Sequence, residues 1–298
     1  MAYLLQQLAN AVPLAALYAA LAFGYCIAFG VTRRADITYG AIFAFSGQMF
    51  LIFTEVGWNV LWLVLPAALA FGAGMALIYA LGAGLVIGRT VMRPLAHASA
   101  NAMLVAALGV LLMLTEIARL ASASRSLWLP PFLNRPVIFW QAGTFQVTLT
   151  VIQMLNTALM LAILLAGHRI LTRSRWGRIW RAVTDEALGA KLCGVDADRV
   201  FLMAYAVAAL VAAVCGILAT AYYGTMDFGA GLMFGLKIVL IAAAGGYADP
   251  LRSAGGAAAI GFVETLWGGY GPLVWRDPVI VSLLVFWLVI GQRERLIP

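Results

Sequence analysis

The stretch VPLAALYAALAFGYCIAF, Val12–Phe29, runs for 18 residues without a charged side chain. Crossing the hydrocarbon core of a bilayer by helix takes roughly 17–25 mostly apolar residues. Lipid offers no water to pair free backbone groups, so only helices and closed barrels can span it. The run is continuous rather than alternating, which selects the helix. Around it, 64% of the 298 residues are hydrophobic and 10% charged, against about 45–50% and roughly 25% in a soluble domain. One compact core cannot bury that much apolar side chain and keep a wettable surface. The 30 glycines agree, since small residues let membrane helices approach closely.

Further apolar runs follow at Ile37–Phe53, Val60–Ile87, Ala98–Leu120, Thr148–Ile170, Val200–Tyr222, Phe228–Ala244, Ala254–Trp267 and Val279–Ile290. The fold class is therefore all-α, a polytopic bundle of about eight or nine membrane helices. The last three runs are short or glycine-broken and are expected to include half-helices or re-entrant segments. Residues 1–298 form one transmembrane domain on this reading. Met1–Asn10 has no basic residue ahead of the apolar run, which a signal peptide requires, and is read as part of the mature chain.

Basic residues in short loops set the orientation. With the N-terminus outside, 14 of the 19 Lys and Arg fall on the cytoplasmic side: Arg33, Arg34, Arg89, Arg93, Arg169, Arg173, Arg175, Arg178, Arg181, Lys191, Arg199, Arg252, Arg293 and Arg295. Three (Arg125, Arg135, Arg276) fall outside, and Arg119 and Lys237 lie within spans. The N-terminus is thus placed outside and the C-terminus inside. Basic residues dispersed between apolar runs are not a nucleic-acid face. Cys26, Cys193 and Cys215 lie in or near apolar segments and read as buried free thiols.

Two loops are long. Ala121–Val147, outside, with Trp128, Trp140 and three prolines, reads as a structured cap with interfacial aromatics. Residues 172–199, inside, form the most polar stretch. There Thr184 is the expected N-cap of a short helix, with Asp185 and Glu186 in its first turn, Lys191 in its last and Gly194 as its stop. Leu188 and Leu192 share one face, and Asp196 is expected to cap the next membrane helix. A capped cytoplasmic helix with an apolar face fits a docking element for another protein, and equally a helix lying on the membrane surface.

Arg178–Asp198 resembles the cytoplasmic coupling loop of ABC importer permeases. LYAALAFGYCIAFGV (Leu17–Val31), MRPL (Met92–Leu95), FGLKIVLIAAAGG (Phe234–Gly246) and DPLRSAGGAAAIGFVETL (249–266) resemble the branch that serves branched-chain and other hydrophobic amino acids. The likeness extends from about Pro13 to Leu296. It implies the membrane subunit of an ATP-driven importer in the bacterial inner membrane, working by alternating access. It also implies partners: a second permease subunit, usually a different and longer chain, two cytoplasmic ABC ATPase subunits, and a periplasmic substrate-binding protein. ATP and magnesium would be bound by the ATPases. The coupling residues would be Thr184, Asp185, Glu186, Leu188, Lys191, Leu192 and Gly194.

The segment after the first helix departs from the family. An asparagine-phenylalanine-alanine-histidine-glycine stretch with a following acid is usual there, and this chain has Asp36-Ile37-Thr38-Tyr39-Gly40-Ala41. The solute range therefore stays open to urea or small organic acids beside amino acids. The chain has no Walker A loop, because Lys191 follows Ala190 and Lys237 follows Leu236, so it supplies no nucleotide cofactor site of its own. GAGLVIG (Gly82–Gly88) lies in an apolar run and reads as helix packing. His97 and His168 form no metal cluster, and no catalytic constellation is present.

Charges at bilayer depth need partners or a watery path. Glu116 and Arg119, three apart, read as a local ion pair. Lys237 and Glu264 are expected to pair with each other, or Lys237 to cap helix carbonyls at a broken span. Asp36, Thr38, Tyr39, Gln48, Lys237 and Glu264 are the candidates for the translocation path. The alternative class is an ion-coupled secondary transporter, which would need membrane carboxylates arranged for Na⁺ or H⁺, and Asp36 and Glu264 are the available pair.

Overall fold

The computed structural model describes residues 2–96, 98–142, 145–246 and 249–292. His97, Arg293 and Arg295 lie outside them. The element order is α1 (Ala2–Thr32), α2 (Thr38–Asn59), α3 (Leu65–Ile87), a π turn Gly88–Met92, the single turn α4 (Arg93–Leu95), α5 (Ala100–Ala121), β1 (Pro136–Ala142), β2 (Phe145–Thr150), α6 (Val151–Arg173), α7 (Arg175–Asp185), α8 (Ala187–Leu192), α9 (Ala197–Tyr223), α10 (Ala230–Gly245), α11 (Pro250–Tyr270), a 3₁₀ turn Leu273–Trp275 and α12 (Arg276–Gln292). This is the expected all-α membrane bundle. Six of the described helices are long and apolar enough to cross a membrane.

Burial sorts the helices. α1, α2 and α9 are mostly enclosed by protein, whereas α3, α5 and α6 keep most of their apolar surface outward, as lipid-facing helices do. Close approaches are made by small residues. A Cβ on Gly40 would come 2.2 Å from Gly235 Cα, where α2 crosses α10, and one on Gly261 would come 2.6 Å from Ala15 Cα, where α11 lies on α1. Gly84 packs on Ala209 and Gly88 on Tyr205, so the GAGLVIG run does serve helix packing.

Boundaries differ from expectation in three places. The run Val60–Ile87 is interrupted: α2 continues to Asn59 and α3 starts only at Leu65, with Trp62 in between at φ 53 and largely exposed. α11 spans 21 residues despite its glycines, because Gly261 is used for packing rather than for bending. α10, at 16 residues, is as short as expected. The loop cap is a β-hairpin, in which Pro136 pairs with Thr150 and Ala142 with Phe145, with an irregularity between Ile138 and Trp140. Trp128 and Trp140 are exposed. The hairpin marks one end of the bundle, and the arginine-rich α6–α9 connection marks the other, here called the basic end.

Candidate functional site

Most of the polar residues singled out above fall into three places rather than one, and Gln48 lies apart from all three. The first is a four-charge network around Glu264. The Gly261–Ala15 contact draws α11 onto α1, so Glu264, one turn on, is buried with its Oε2 accepting from the Tyr18 hydroxyl at 2.8 Å. Its Oε1 accepts from Lys237 Nζ of α10 at 2.7 Å. Arg276 Nε lies 3.7 Å from the same oxygen, and Asp277 Oδ1 lies 3.3 Å from Lys237 Nζ. The ammonium also sits 5.6 Å from the Tyr18 ring centroid. Two cations face two carboxylates, so the network has no net charge and each member offsets its neighbours' desolvation. Of the two alternatives raised for Lys237, pairing with Glu264 is the one found.

A cavity of about 390 Å³ adjoins this network toward the hairpin end, lined by Gln7, Asn10, Gln153, Asn156, Tyr222, Tyr223, Glu264 and Arg276 among others. Gln153 donates to the Tyr222 hydroxyl at 2.9 Å and Asn156 to the Leu218 carbonyl at 2.9 Å. Amides, phenols and a charge pair on the wall of a membrane cavity suit a small polar or zwitterionic solute. Tyr18, Arg276, Asp277 and the four amides were not among the sequence candidates. The amide spacings Gln7/Asn10 and Gln153/Asn156, each three apart on an apolar helix, are the signal that would have found them.

The second place is the start of α2. Asp36 is buried. Its Oδ1 accepts from the Thr38 amide at 2.8 Å and the Thr38 hydroxyl at 2.6 Å, and its Oδ2 from the Tyr205 hydroxyl at 3.0 Å. The Asp36 amide donates to the Tyr25 hydroxyl at 3.1 Å. A carboxylate this fully bonded fixes the join of α1, α2 and α9. Tyr39 is separate: its ring meets that of Tyr25 edge-on at 5.7 Å, and its hydroxyl lies over Gly24 with no hydrogen-bond partner among the described residues. Gln48 faces a different cavity, about 270 Å³ and shared with Arg125 and Asp227, and its buried amide nitrogen has no partner among the described residues.

The third place is the α6–α9 connection. Ser174 caps α7 by accepting from the Gly177 amide at 3.0 Å. A Cβ on Gly177 would meet the Leu171 carbonyl oxygen at 2.1 Å, so glycine permits the tight turn. Trp180 is buried and donates from its indole nitrogen to the Ile27 carbonyl at 3.2 Å, tying α7 to α1. Thr184 is not the N-cap expected of it. It ends α7, and its hydroxyl donates to the Trp180 carbonyl at 2.8 Å. Asp185 closes α7 as well, and Glu186, extended at φ −148, is the break before α8 and makes no side-chain cap. The reason is that the amphipathic run Trp176, Trp180, Val183 carries the preceding helix through Thr184. Lys191 is in the last turn of α8, and Gly194 follows at φ 85, the conformation that lets glycine close a helix. Asp196 caps α9, accepting from the Arg199 amide at 3.1 Å.

On α8, Leu188 and Leu192 are 67% and 84% exposed while Ala190 is buried. The Arg33 guanidinium donates to the Thr184 and Asp185 carbonyls, joining the α7–α8 elbow to the α1–α2 loop. Cys193 is exposed, whereas Cys26 and Cys215 are buried. The expectation of three buried thiols fails at Cys193 because it sits on the outer end of α8. Glu116 and Arg119 do pair, at 2.7 Å.

A family model described as "Branched-chain amino acid transport system / permease component" matches residues 7–290. Curated relatives include the high-affinity branched-chain amino acid transport system permease protein LivH of Salmonella typhimurium LT2, 28% identical over 97% of this chain and 94% of that protein. LivH of Escherichia coli K12 is 27% identical over the same shares. BraD of Pseudomonas aeruginosa PAO1, a permease protein of the same description, is 24% identical over 96% and 93%. No solved structure matches.

Proposed function

Because the chain belongs to the branched-chain amino acid transport permease family, we propose that it is the membrane subunit of an ATP-binding-cassette importer for branched-chain or related hydrophobic amino acids. The observation that carries the reading is α8: a six-residue helix at the basic end that holds two leucines outward. Leucines exposed at a polar, arginine-rich end favour a partner protein. A cytoplasmic ATPase is the partner that supplies energy to a chain with no nucleotide motif of its own. The basic end is then cytoplasmic, the N-terminus periplasmic, and the membrane the bacterial inner membrane. A second permease chain, a second ATPase and a periplasmic binding protein complete the assembly, with ATP and magnesium held by the ATPases.

A mechanism follows from the connections. Nucleotide shifts a conformational equilibrium only by binding one state better than the other, and α8 is where that difference enters. Movement of the α7–α8 elbow pulls on Arg33. Arg33 is three residues from Asp36, whose hydrogen bonds hold the start of α2 against Tyr205 of α9. Tilting α2 on the Gly40–Gly235 crossing displaces α10 and with it Lys237 beside the polar cavity. The ion-coupled alternative has less support, since Asp36 and Glu264 are both saturated by fixed partners.

The test is co-purification with candidate ATPases, wild type against Leu188→Asp/Leu192→Asp. Loss of the ATPases from a permease that still elutes as a folded species is expected. Retention by the charged variant, or no ATPase with wild type, moves the ion-coupled reading to the front.

A further inference from the structure

One apolar cavity plays no part in the proposed path. Between α6 and α9, against Phe23 and Ile27 of α1, lies a slot of about 370 Å³. Gly167 and Ile170 of α6 and Met203 and Val207 of α9 form its sides, and Trp176 of α7 lies at its basic end. Ile170 and Met203 remain about half exposed on its rim, so the slot is open to whatever surrounds the bundle at this depth.

The charge at its mouth is unbalanced. Arg169, Arg173, Arg175, Arg178 and Arg181 are all exposed, and among the described residues none has a carboxylate within 4.0 Å. Arg173 follows Ile170 by three residues, on a neighbouring part of the same helix face, and Arg175 adjoins Trp176. Arg199 precedes Met203 by one turn but is already paired with Asp196 at 2.8 Å. Arg181 donates to the Leu171 carbonyl, but no carboxylate among the described residues neutralises any of the five, so an apolar-lined slot ending beside them is complementary to a molecule with a long apolar tail and an anionic head. Guanidinium meets phosphate by paired hydrogen bonds as well as by charge, and basic sites between membrane helices take anionic headgroups.

We propose that the slot and its arginine rim bind an anionic phospholipid. One acyl chain lies between α6 and α9, and the phosphate meets Arg173 and Arg175. The tail supplies position rather than affinity, because lipid tails are as apolar as the slot and gain little by entering it. Selectivity comes from the headgroup charge. The bound lipid would brace α7, and through it the α7–α8 elbow, against the bundle.

Trp176 is a reporter inside the site. The whole importer complex is reconstituted in phosphatidylcholine vesicles containing phosphatidylglycerol or phosphatidylcholine brominated near the head of the acyl chain. The Trp176 signal is taken as the difference between wild type and Trp176→Phe, which removes the other eight of the nine tryptophans. Brominated phosphatidylglycerol should quench it at a mole fraction lower by roughly tenfold, given the attraction of two arginines for an anionic lipid. Arg173→Gln/Arg175→Gln should make the two lipids equal, and Ala206→Phe, which fills the slot, should protect Trp176 from both. Equal quenching of wild type by the two lipids would mean ordinary boundary lipid, and no quenching by either would mean that the partner permease covers the slot. A preference for phosphatidylglycerol that survives the double arginine variant would place the headgroup elsewhere. Each of these three results overturns the proposal.

Discussion

The two ends of the bundle handle charge in opposite ways. Toward the hairpin end, Lys237, Glu264, Arg276 and Asp277 each lie within 3.7 Å of an opposite charge, with Glu264 buried and Lys237 partly so. At the basic end, five arginines between Arg169 and Arg181 stand exposed without a carboxylate partner among the described residues. Charge taken out of water must be matched in place, so the first group fixes helices relative to one another. Charge left in water is free to meet something else. The same contrast separates Glu264, saturated by Tyr18 and Lys237, from Leu188 and Leu192, which touch little of their own chain. One end holds its geometry beside a cavity, and the other leaves its arginines and leucines exposed.

The largest effect that sharpens this contrast is expected at Lys237. Lys237→Met removes the closest partner of a buried carboxylate, a change that costs up to about 3–5 kcal/mol. Arg276, 3.7 Å from the same oxygen, will offset part of that. The measurable outcome is a lower thermal midpoint and a smaller yield of folded protein in detergent. Lys237→Met/Glu264→Gln removes both charges while leaving Tyr18 an acceptor, and should recover most of the stability. If the pair also serves the path, uptake by the double variant stays low. Full recovery of uptake would reduce the network to a structural device, and an unchanged single variant would mean the buried pair contributes nothing measurable.

What could be read from sequence follows the range of the forces involved. The membrane helices were legible because a run such as Val12–Phe29 has only one way to satisfy its backbone in lipid. Lys237 and Glu264 were legible as a pair because charged residues are scarce in the apolar runs and each needs a partner. Arg276 and Asp277 were not, since they begin α12 and look like ordinary interfacial charges. Tyr205 lies 169 residues from Asp36, and nothing local announces that contact. The hairpin was missed although FQVTLT alternates, because aromatic and proline residues at a membrane surface read equally well as an irregular cap. Thr184 was misplaced for a local reason: a Thr followed by two acids is a good N-cap signature. The amphipathic face of Trp176, Trp180 and Val183, which overrides it, gains its energy from packing against α1.

A smaller effect is expected at the link between the two ends. Arg33 adopts φ 54, a conformation that glycine accepts at no steric cost. Arg33→Gly therefore keeps the turn while deleting the guanidinium that holds the Thr184 and Asp185 carbonyls. Thermal stability should be unchanged or slightly higher, by about 0.5 kcal/mol, since the strain of a left-handed non-glycine residue is relieved. ATPase binding should persist, because Leu188 and Leu192 are untouched. Uptake per ATP hydrolysed should fall several-fold, and normal uptake would show that the elbow and α2 communicate by another route.

The mildest test leaves the protein unaltered and asks which side each end faces. Cys193 is exposed at the end of α8, while Cys26 and Cys215 are enclosed. A membrane-impermeant maleimide should therefore modify one thiol of the three, and Cys193→Ser should abolish the labelling. If the basic end is cytoplasmic, inside-out vesicles label and right-side-out vesicles do not. Bound ATPase should slow labelling several-fold, because Cys193 directly follows the exposed Leu192. Labelling in right-side-out vesicles would reverse the orientation and leave α8 on the wrong side for an ATPase. Labelling from the inside at a rate indifferent to the ATPase would keep the orientation and move the docking contact away from α8.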